Sequence, residues 1–108
     1  MRLLAGIALA AAVLGTAMAW WIASAQGQPI TIDAIGDSVQ TRQRGQVPAF
    51  AEKAETAELY RFAVDHPEVL GFMPCMCGCG SLGHTSNRSC YVKAETQSLV
   101  TFTSHAAT

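Results

Sequence analysis

The chain has 108 residues, of which 50% are hydrophobic, and its formal net charge is −1 at pH 7. This length suits one small domain. Nucleic-acid binding usually requires a basic surface, so the near-neutral charge leads us to expect no nucleic-acid partner. A core this small often needs a disulfide, a metal or a partner chain to be stable. All 4 cysteines lie between Cys75 and Cys90, so that segment is expected to supply a disulfide or a site.

The first 25 residues form an apolar segment with a positive start. Met1-Arg2 is followed by a run from Leu3 to Ala25 without a charged residue, and the run ends in Ala23-Ser24-Ala25. A positive start, an apolar stretch and small residues at the exit are typical of a signal peptide. The run also exceeds the roughly 20 residues that a membrane anchor needs. Both interpretations predict export to a periplasmic or extracellular location, and the anchor adds membrane attachment.

Residues 26–47 are weakly patterned. Glycines and prolines interrupt this stretch at Gly27, Pro29, Gly36 and Gly45. Such residues punctuate a chain more often than they continue a helix or strand. Ile30, Ile32 and Val39 could form a short extended piece within it. We therefore divide the sequence into a signal peptide or anchor (1–25), a mostly irregular linker (26–47) and a cysteine-rich domain (48–108).

The domain begins with a predicted helix from Val47 to Val69. Apolar residues recur there at three- and four-residue steps, which indicates one buried stripe. Pro48 suits the first turn, and Pro67 ends the helix because the preceding residue is disfavoured in the α region. Further on, Tyr91-Val92 and Leu99–Thr103 favour a short β-hairpin. The predicted fold is thus mainly α, small and loop-rich, with an N-terminal apolar helix, one amphipathic helix, a cysteine-rich loop and this hairpin.

The cysteine-rich segment carries the strongest chemical signal. Three cysteines alternate over five positions, and a histidine and a fourth cysteine follow: Cys75, Cys77, Cys79, His84 and Cys90. Glycines between them allow sharp backbone turns. Thiolates and imidazoles are metal ligands, and three cysteines with one histidine form an accepted tetrahedral set. We predict that these five residues bind a metal ion.

Copper is the predicted ion and zinc the alternative. Crowded thiolates suit Cu(I), and the thioethers of Met73 and Met76 are further soft donors. Methionines fill gaps in an apolar core at least as often as they act as ligands, so both roles stay open for these two residues. The spacing is not that of a zinc finger. Two other interpretations stay open for an exported chain: two structural disulfides, or thiols that exchange with the disulfides of other proteins.

Other residues point to no second chemistry. The sequence contains no glycine-rich phosphate loop, no carboxylate pair and no nucleophile elbow, so we expect a non-enzymatic protein. His66 precedes Pro67 at a predicted helix end, where a histidine can simply complement the helix dipole.

The segment Pro74-Cys75-Met76-Cys77-Gly78-Cys79, followed by Gly83-His84 and Cys90-Tyr91, resembles the PCYCGC-motif family of exported bacterial proteins. The resemblance implies soft-metal binding, copper above all. Met76 stands where the motif has a tyrosine. Family members commonly continue to a further Cys-x-x-C on a closing helix, whereas this sequence stops at Thr108. Either the sequence is shortened relative to the family, or that helix and its cysteines are absent. If they are absent, the site is incomplete and a protein partner, as in metal transfer, is expected. His105 is expected to be mobile, and only the resemblance implies that it approaches a metal.

Overall fold

The computed structural model describes residues 13–22, 27–76 and 78–107. Within these ranges the helices are α1 (residues 13–22), α2 (Ala54–Asp65) and α3 (Pro67–Phe72). Three short 3₁₀ helices follow at Cys79–Leu82, Asn87–Cys90 and Ser104–Ala106. The strands are β1 (Thr31–Ile32), β2 (Ser38–Gln43), β3 (Val92–Glu95) and β4 (Leu99–Thr103).

The four strands form one antiparallel sheet in the order β1-β2-β4-β3. β2 and β4 pair from Val39 opposite Thr103 to Gln43 opposite Leu99. The hairpin of β3 and β4 is present as expected, with a register shift between Val92 and Ala94. Such a shift leaves an extra residue on one strand and increases its local twist.

The prediction of a mainly α fold is therefore wrong, because a four-stranded sheet organises the domain. Its strands β1 and β2 lie in the segment that was expected to be an irregular linker. β2 lacks an alternation of apolar residues, and hydrogen bonds of polar side chains hold it instead. The Gln40 amide donates to the Gln28 carbonyl (3.0 Å) and accepts from the Ala49 N–H (2.7 Å), while the hydroxyls of Thr41 and Thr101 are 2.8 Å apart. Hydrophobic periodicity cannot reveal such a strand.

Two glycines of that segment lie in turns at the two ends of β2. Gly36 lies in the turn between β1 and β2 with φ = 92°, and Gly45 follows β2 with φ = 94°. Side chains with a Cβ rarely adopt this left-handed conformation. In the first turn the Asp33 carboxylate accepts hydrogen bonds from the N–H groups of Ile35 (3.1 Å) and Asp37 (3.0 Å). Gly36 thus connects β1 to β2, and Gly45 turns the chain after β2, so neither glycine interrupts a strand.

The N-terminal segment is described only in part. Residues 13–22 are helical and exposed, and the remainder of the predicted signal peptide or anchor lies outside the described residues. The long apolar helix expected there is not seen among the described residues. No described helix is both long and apolar enough to cross a membrane.

The predicted helix of residues 47–69 is shorter and divided in two. Pro48 lies before α2 and is buried, so it does not occupy the first turn. α2 ends at Asp65 and α3 begins at Pro67, with His66 between them in a non-helical conformation. The proline ends the first helix as predicted and starts the next, where its missing N–H removes no hydrogen bond.

The core lies between α2 and the sheet. Tyr60 is at its centre, and its ring makes edge-to-face contacts with Phe50, Tyr91 and Phe102 at centroid distances of 5.3–5.7 Å. The Tyr60 hydroxyl donates a hydrogen bond of 2.6 Å to the Thr103 carbonyl. The other buried members of this cluster are Ala51, Ala57, Ala63, Val64, Val92 and Val100. This core fixes the end of β4, from which one side of the candidate site is built.

Candidate metal centre

Residues 73–90, which we call the cysteine loop, lead from the end of α3 to the start of β3. The loop is closed at its neck, where the N–H of Asn87 donates to the carbonyl of Met73 at 2.8 Å. Cys75 precedes the first 3₁₀ helix, Cys79 begins it, and Cys90 ends the second. Cys77 lies outside the described residues. The closed neck holds the two halves of the loop side by side.

Two glycines produce the bends that bring the ligand candidates together. Gly78 (φ = 78°) and Gly83 (φ = 83°) flank the 3₁₀ helix Cys79–Leu82 in the left-handed conformation. The second bend is fixed by hydrogen bonds from the Gly83 N–H to Gly80 and from the His84 N–H to Cys79, at 3.1 and 3.4 Å. The chain therefore reverses directly after Leu82, and this reversal turns His84 back toward the cysteines.

Five side chains meet inside these bends. We call Cys75, Cys79, His84, Cys90 and His105 the sulfur–imidazole cluster. The Cys75 and Cys90 sulfurs are 4.0 Å apart. The Cys90 sulfur is 3.8 Å from His84 Nδ1, and the Cys79 sulfur is 3.2 Å from His105 Nε2. The two imidazole rings stand edge to face at 4.8 Å.

The geometry of the cluster suits a metal ion. Cys75, Cys79 and His84 form one group, and His84, Cys90 and His105 form a second group, in each of which the ligand atoms lie within 4.8 Å of one another. Tetrahedral metal–sulfur and metal–nitrogen bonds of about 2.3 and 2.0–2.1 Å place ligand atoms roughly 3.6–3.8 Å apart. The measured separations of 4.0, 3.8 and 3.2 Å differ from that range by only a few tenths of an ångström. Small side-chain adjustments thus suffice for coordination.

The same distances bear on the disulfide interpretation. A disulfide bond is about 2.05 Å long, whereas the sulfurs of Cys75 and Cys90 are 4.0 Å apart. These two cysteines are therefore neighbours that are not bridged to each other. Thiols in this arrangement can share an ion or be oxidised together.

The position of His105 differs from the one expected from the sequence. Its 3₁₀ helix follows β4 directly, and the Ser38 N–H donates to Ser104 Oγ at 2.9 Å, which ties this helix to the start of β2. The His105 ring lies between two groups, with Nδ1 2.8 Å from Asp37 Oδ2 and Nε2 against Cys79. The expectation of a mobile His105 is thus replaced by a ring with a contact at each nitrogen. No short motif signals this, because Asp37 and His105 are 68 residues apart.

Arg88 anchors the end of the loop that carries Cys90. Its Nε donates to the Ala63 carbonyl of α2 at 2.8 Å, and its Nη2 donates to Glu95 of β3 at 2.7 Å. Arg44 also bonds Glu95, at 2.8 Å. The Arg44 hydrogen bond, with a further contribution from Arg88, lowers the pKa of the Glu95 carboxyl. Arg88 thereby links the second 3₁₀ helix to both the helix and the sheet of the core.

Two tyrosines border the cluster as neutral groups. Burial raises the pKa of Tyr60 and of Tyr91 above the ordinary value of 10.0. Both phenols consequently keep their protons at neutral pH. They add no negative charge beside Cys90, so its sulfur is not repelled by a phenolate.

The remaining sequence candidates lie away from the core or the cluster. His66 packs its ring on Phe62 at 4.5 Å, and its Nδ1 is 3.4 Å from Glu68. Among the described residues it belongs to neither ligand group. Met73 and Met76 are both exposed, so neither fills a gap in the core. Met76 in particular is 87% exposed.

An open cavity of about 370 Å³ reaches the cluster at His84. Its wall includes Ser89 from the cysteine loop and the ion pair between Lys93 and Asp33. That ion pair is also the main reason why the pKa of Asp33 is lowered. The cavity opens one imidazole of the cluster to solutes, whereas Cys90 is buried.

Comparison with known proteins agrees with the motif. The model of a family described as "Protein of unknown function with PCYCGC motif" matches residues 24–108. This chain belongs to that family. The match includes the cysteine loop, all four strands, Asp37 and His105. No curated protein and no solved structure matches the chain.

Proposed function

We propose that this protein binds a soft metal ion outside the cytoplasm, without catalysing a reaction, and that the ion is copper in the Cu(I) state. The ion would be held by Cys75, Cys79, His84 and Cys90, with Cys77 as a further ligand. The proximity of three sulfurs and one imidazole of the cysteine loop to one another and to the His105 imidazole after β4 carries the proposal.

The choice of copper rests on ligand chemistry. Thiolates and imidazoles both bind copper and zinc, and thiolates favour Cu(I) because both are soft. Zinc takes four ligands in a tetrahedral arrangement, and this cluster also offers four or more. Zinc is therefore the alternative that a metal analysis must separate from copper.

The location and the partner are proposed from the sequence and the surface. The apolar run of residues 3–25 supports export and, if it is retained, attachment to a membrane. The cavity at His84 gives a carrier of the ion a direct approach to the cluster. We propose handling or delivery of copper, in which a second protein gives or receives the ion.

The test is the metal content of the protein purified anaerobically in the form in which cells accumulate it. Mass spectrometry of the intact protein shows whether residues 1–25 are removed, and elemental analysis counts bound copper and zinc. We expect about one equivalent of copper, since the two ligand groups share His84 and the Cys75 and Cys90 sulfurs are 4.0 Å apart. Binding should weaken as the pH falls, because protons compete with the metal for thiolates and imidazoles.

A set of variants assigns the ligands. Cys75→Ser, Cys77→Ser, Cys79→Ser, Cys90→Ser and His84→Ala are each expected to weaken binding in a competition with a coloured Cu(I) chelator. His66→Ala is the matched control, because His66 is an imidazole outside the cluster. Equal losses from His66→Ala and His84→Ala would contradict the ligand set. Bound zinc without copper would correct the metal, and a metal-free protein would reject the proposal.

Thiol–disulfide exchange is the second candidate function. The 4.0 Å separation of the Cys75 and Cys90 sulfurs favours it, because a small movement would allow a bond between them. In the exchange these two thiols become a disulfide, and the disulfide of a partner protein takes up the two electrons and two protons and becomes two thiols. A metal-free protein whose thiols cycle reversibly against glutathione would establish this function. Four blocked thiols without metal would instead establish a structural, disulfide-linked module.

A further inference from the structure

A buried carboxylate stands behind the cluster, on the side away from the cysteine loop. Asp37 Oδ2 is 2.8 Å from His105 Nδ1, and His105 Nε2 is 3.2 Å from the sulfur of Cys79. Asp37 is only 8% exposed. A carboxylate, an imidazole and a sulfur therefore form one chain that runs from the sheet into the cluster. The PCYCGC motif contains neither the carboxylate nor this imidazole.

We propose that His105 is a ligand of the metal ion and that Asp37 is the residue that positions it. This inference rests on the proposed function, because it assigns two further residues to the same metal centre. His105 would bind the ion through Nε2, and Asp37 would act through His105 without touching the ion.

The position of Asp37 is fixed by the turn that precedes β2. Its backbone N–H donates to the Asp33 carboxylate at 3.0 Å, and its carbonyl accepts from the Asp33 N–H at 2.9 Å. The next residue, Ser38, donates its N–H to Ser104, directly before His105. Two parallel contacts thus join this turn to the 3₁₀ helix Ser104–Ala106, one through the backbone and one through the carboxylate.

The carboxylate determines which nitrogen of His105 is available. An ionised carboxylate only accepts hydrogen bonds, so Nδ1 must carry a hydrogen to bond Asp37. In the neutral imidazole the lone pair then lies on Nε2, which faces Cys79. Metal-binding histidines commonly donate their other N–H to a carboxylate or carbonyl, and this contact fixes the orientation of the ring. The observed contacts match that arrangement.

The surroundings of His105 supply the remaining ligands. His105 belongs to the same ligand group as His84 and Cys90, and Cys90 is buried. The two imidazole rings stand edge to face at 4.8 Å, and one ligand atom from each of them lies within 4.8 Å of the other and of the Cys90 sulfur. An ion bound there would contact the cysteine loop on one side and the end of β4 on the other. Metal binding would thereby connect the loop directly to the sheet.

The test is a double-mutant cycle on Cu(I) affinity in the intact protein, with Asp37→Ala, His105→Ala and the combined variant. Replacing such supporting residues typically weakens metal binding about 10- to 100-fold, and we expect losses of this order from each single variant. If Asp37 acts through His105, the combined variant binds Cu(I) no more weakly than His105→Ala alone. Asp37→Asn should retain most of the affinity, because its amide oxygen still accepts from Nδ1–H.

Asp65→Asn is the matched control, since it changes an exposed carboxylate at the end of α2 that belongs to neither ligand group. We expect this control to leave the Cu(I) affinity nearly unchanged. A second measurement is nitrogen NMR of the metal-free protein, which should show hydrogen on Nδ1 of His105 in the wild type and in Asp37→Asn. In Asp37→Ala this preference for one nitrogen should disappear.

The outcomes separate this inference from the proposed function. A wild-type protein without metal rejects both, and the NMR result then still reports whether Asp37 orients the ring. A wild type that binds metal, with unchanged affinity in His105→Ala, overturns only the inference. If Asp37→Ala lowers the Cu(I) affinity equally in the presence and in the absence of His105, its effect is purely structural, and the inference is also overturned.

Discussion

The core and the sulfur–imidazole cluster are neighbours that are held together by different forces. Phe102, Val100 and Tyr60 are fully or almost fully enclosed between α2 and the sheet. Around the cluster, by contrast, apolar side chains face solvent, and Phe72 is 92% exposed. The core is stabilised by apolar burial, whereas hydrogen bonds and glycine-dependent bends shape the cluster. The two regions should therefore respond differently to substitution.

The regions are connected at a small number of contacts. Tyr60 bonds the carbonyl of Thr103, two residues before His105. Arg88 bonds both α2 and β3, two residues before Cys90. Each contact holds one side of the cluster against the core. Disruption of the core should consequently disturb the cluster, while loss of a cluster ligand should leave the core intact.

The largest effect is expected from Phe102→Ala. Removal of a buried phenylalanine typically costs about 3–5 kcal/mol, and Phe102 packs edge to face on Tyr60 at 5.7 Å. Urea denaturation followed by circular dichroism measures the loss. Leu99→Ala is the matched control, because Leu99 lies on the same strand but is exposed. A loss from Phe102→Ala no greater than that from the control would contradict the assigned core.

A smaller effect is expected from Arg88→Ala, which tests the connection between the regions. Hydrogen bonds with a charged partner contribute about 1.5–3 kcal/mol, and the Arg88 side chain is largely buried. We expect a loss of stability in this range together with weaker metal binding, because the helix that carries Cys90 loses its anchor. Denaturation and chelator competition measure the two effects.

Arg44→Ala sharpens that result. Arg44 bonds the same Glu95 carboxylate but is more exposed, and its guanidinium does not bond α2 as that of Arg88 does. Exposed ion pairs contribute at most about 1 kcal/mol. Arg44→Ala should therefore lower stability less and leave metal affinity unchanged, and equal effects of the two variants would argue against Arg88 as an anchor.

The smallest loss of stability is expected when the pH is lowered. Hydrogen bonds from Arg44 and Arg88 lower the pKa of Glu95 in the folded state below its ordinary value of 4.5. A lowered folded-state pKa stabilises the protein fully above the unfolded value, and this contribution disappears as the pH falls through the folded value. Stability measured between about pH 3 and 7 should decline on the acid side. Glu95→Gln should show a shallower decline, and an identical decline would show that other carboxylates cause it.

The sequence predicted the elements whose signals are local. The β3–β4 hairpin is visible in its β-branched and aromatic residues, and the end of α2 is visible in Pro67. The cysteines and His84 were expected to converge because glycines lie between them, and the described members of that set do lie together. Their role as ligands stays a prediction.

The elements that the sequence did not reveal depend on contacts between distant residues. β2 is a central strand with polar side chains, and its buried Gln40 finds partners 12 and 9 residues away. His105 meets Asp37 across 68 residues and Cys79 across 26. Neither kind of contact leaves a periodic pattern in the sequence, because it depends on which strands become neighbours in the folded sheet.

The closed neck of the cysteine loop has a consequence for digestion by proteases. Since Asn87 bonds Met73 across the neck, a cut near the exposed Leu82 would leave both new ends attached to the folded body. The nicked chain would keep its sheet and migrate as one particle until it is denatured. An ion bound by both halves of the loop would hinder the cut, so the rate of proteolytic cleavage would report whether the ion is bound.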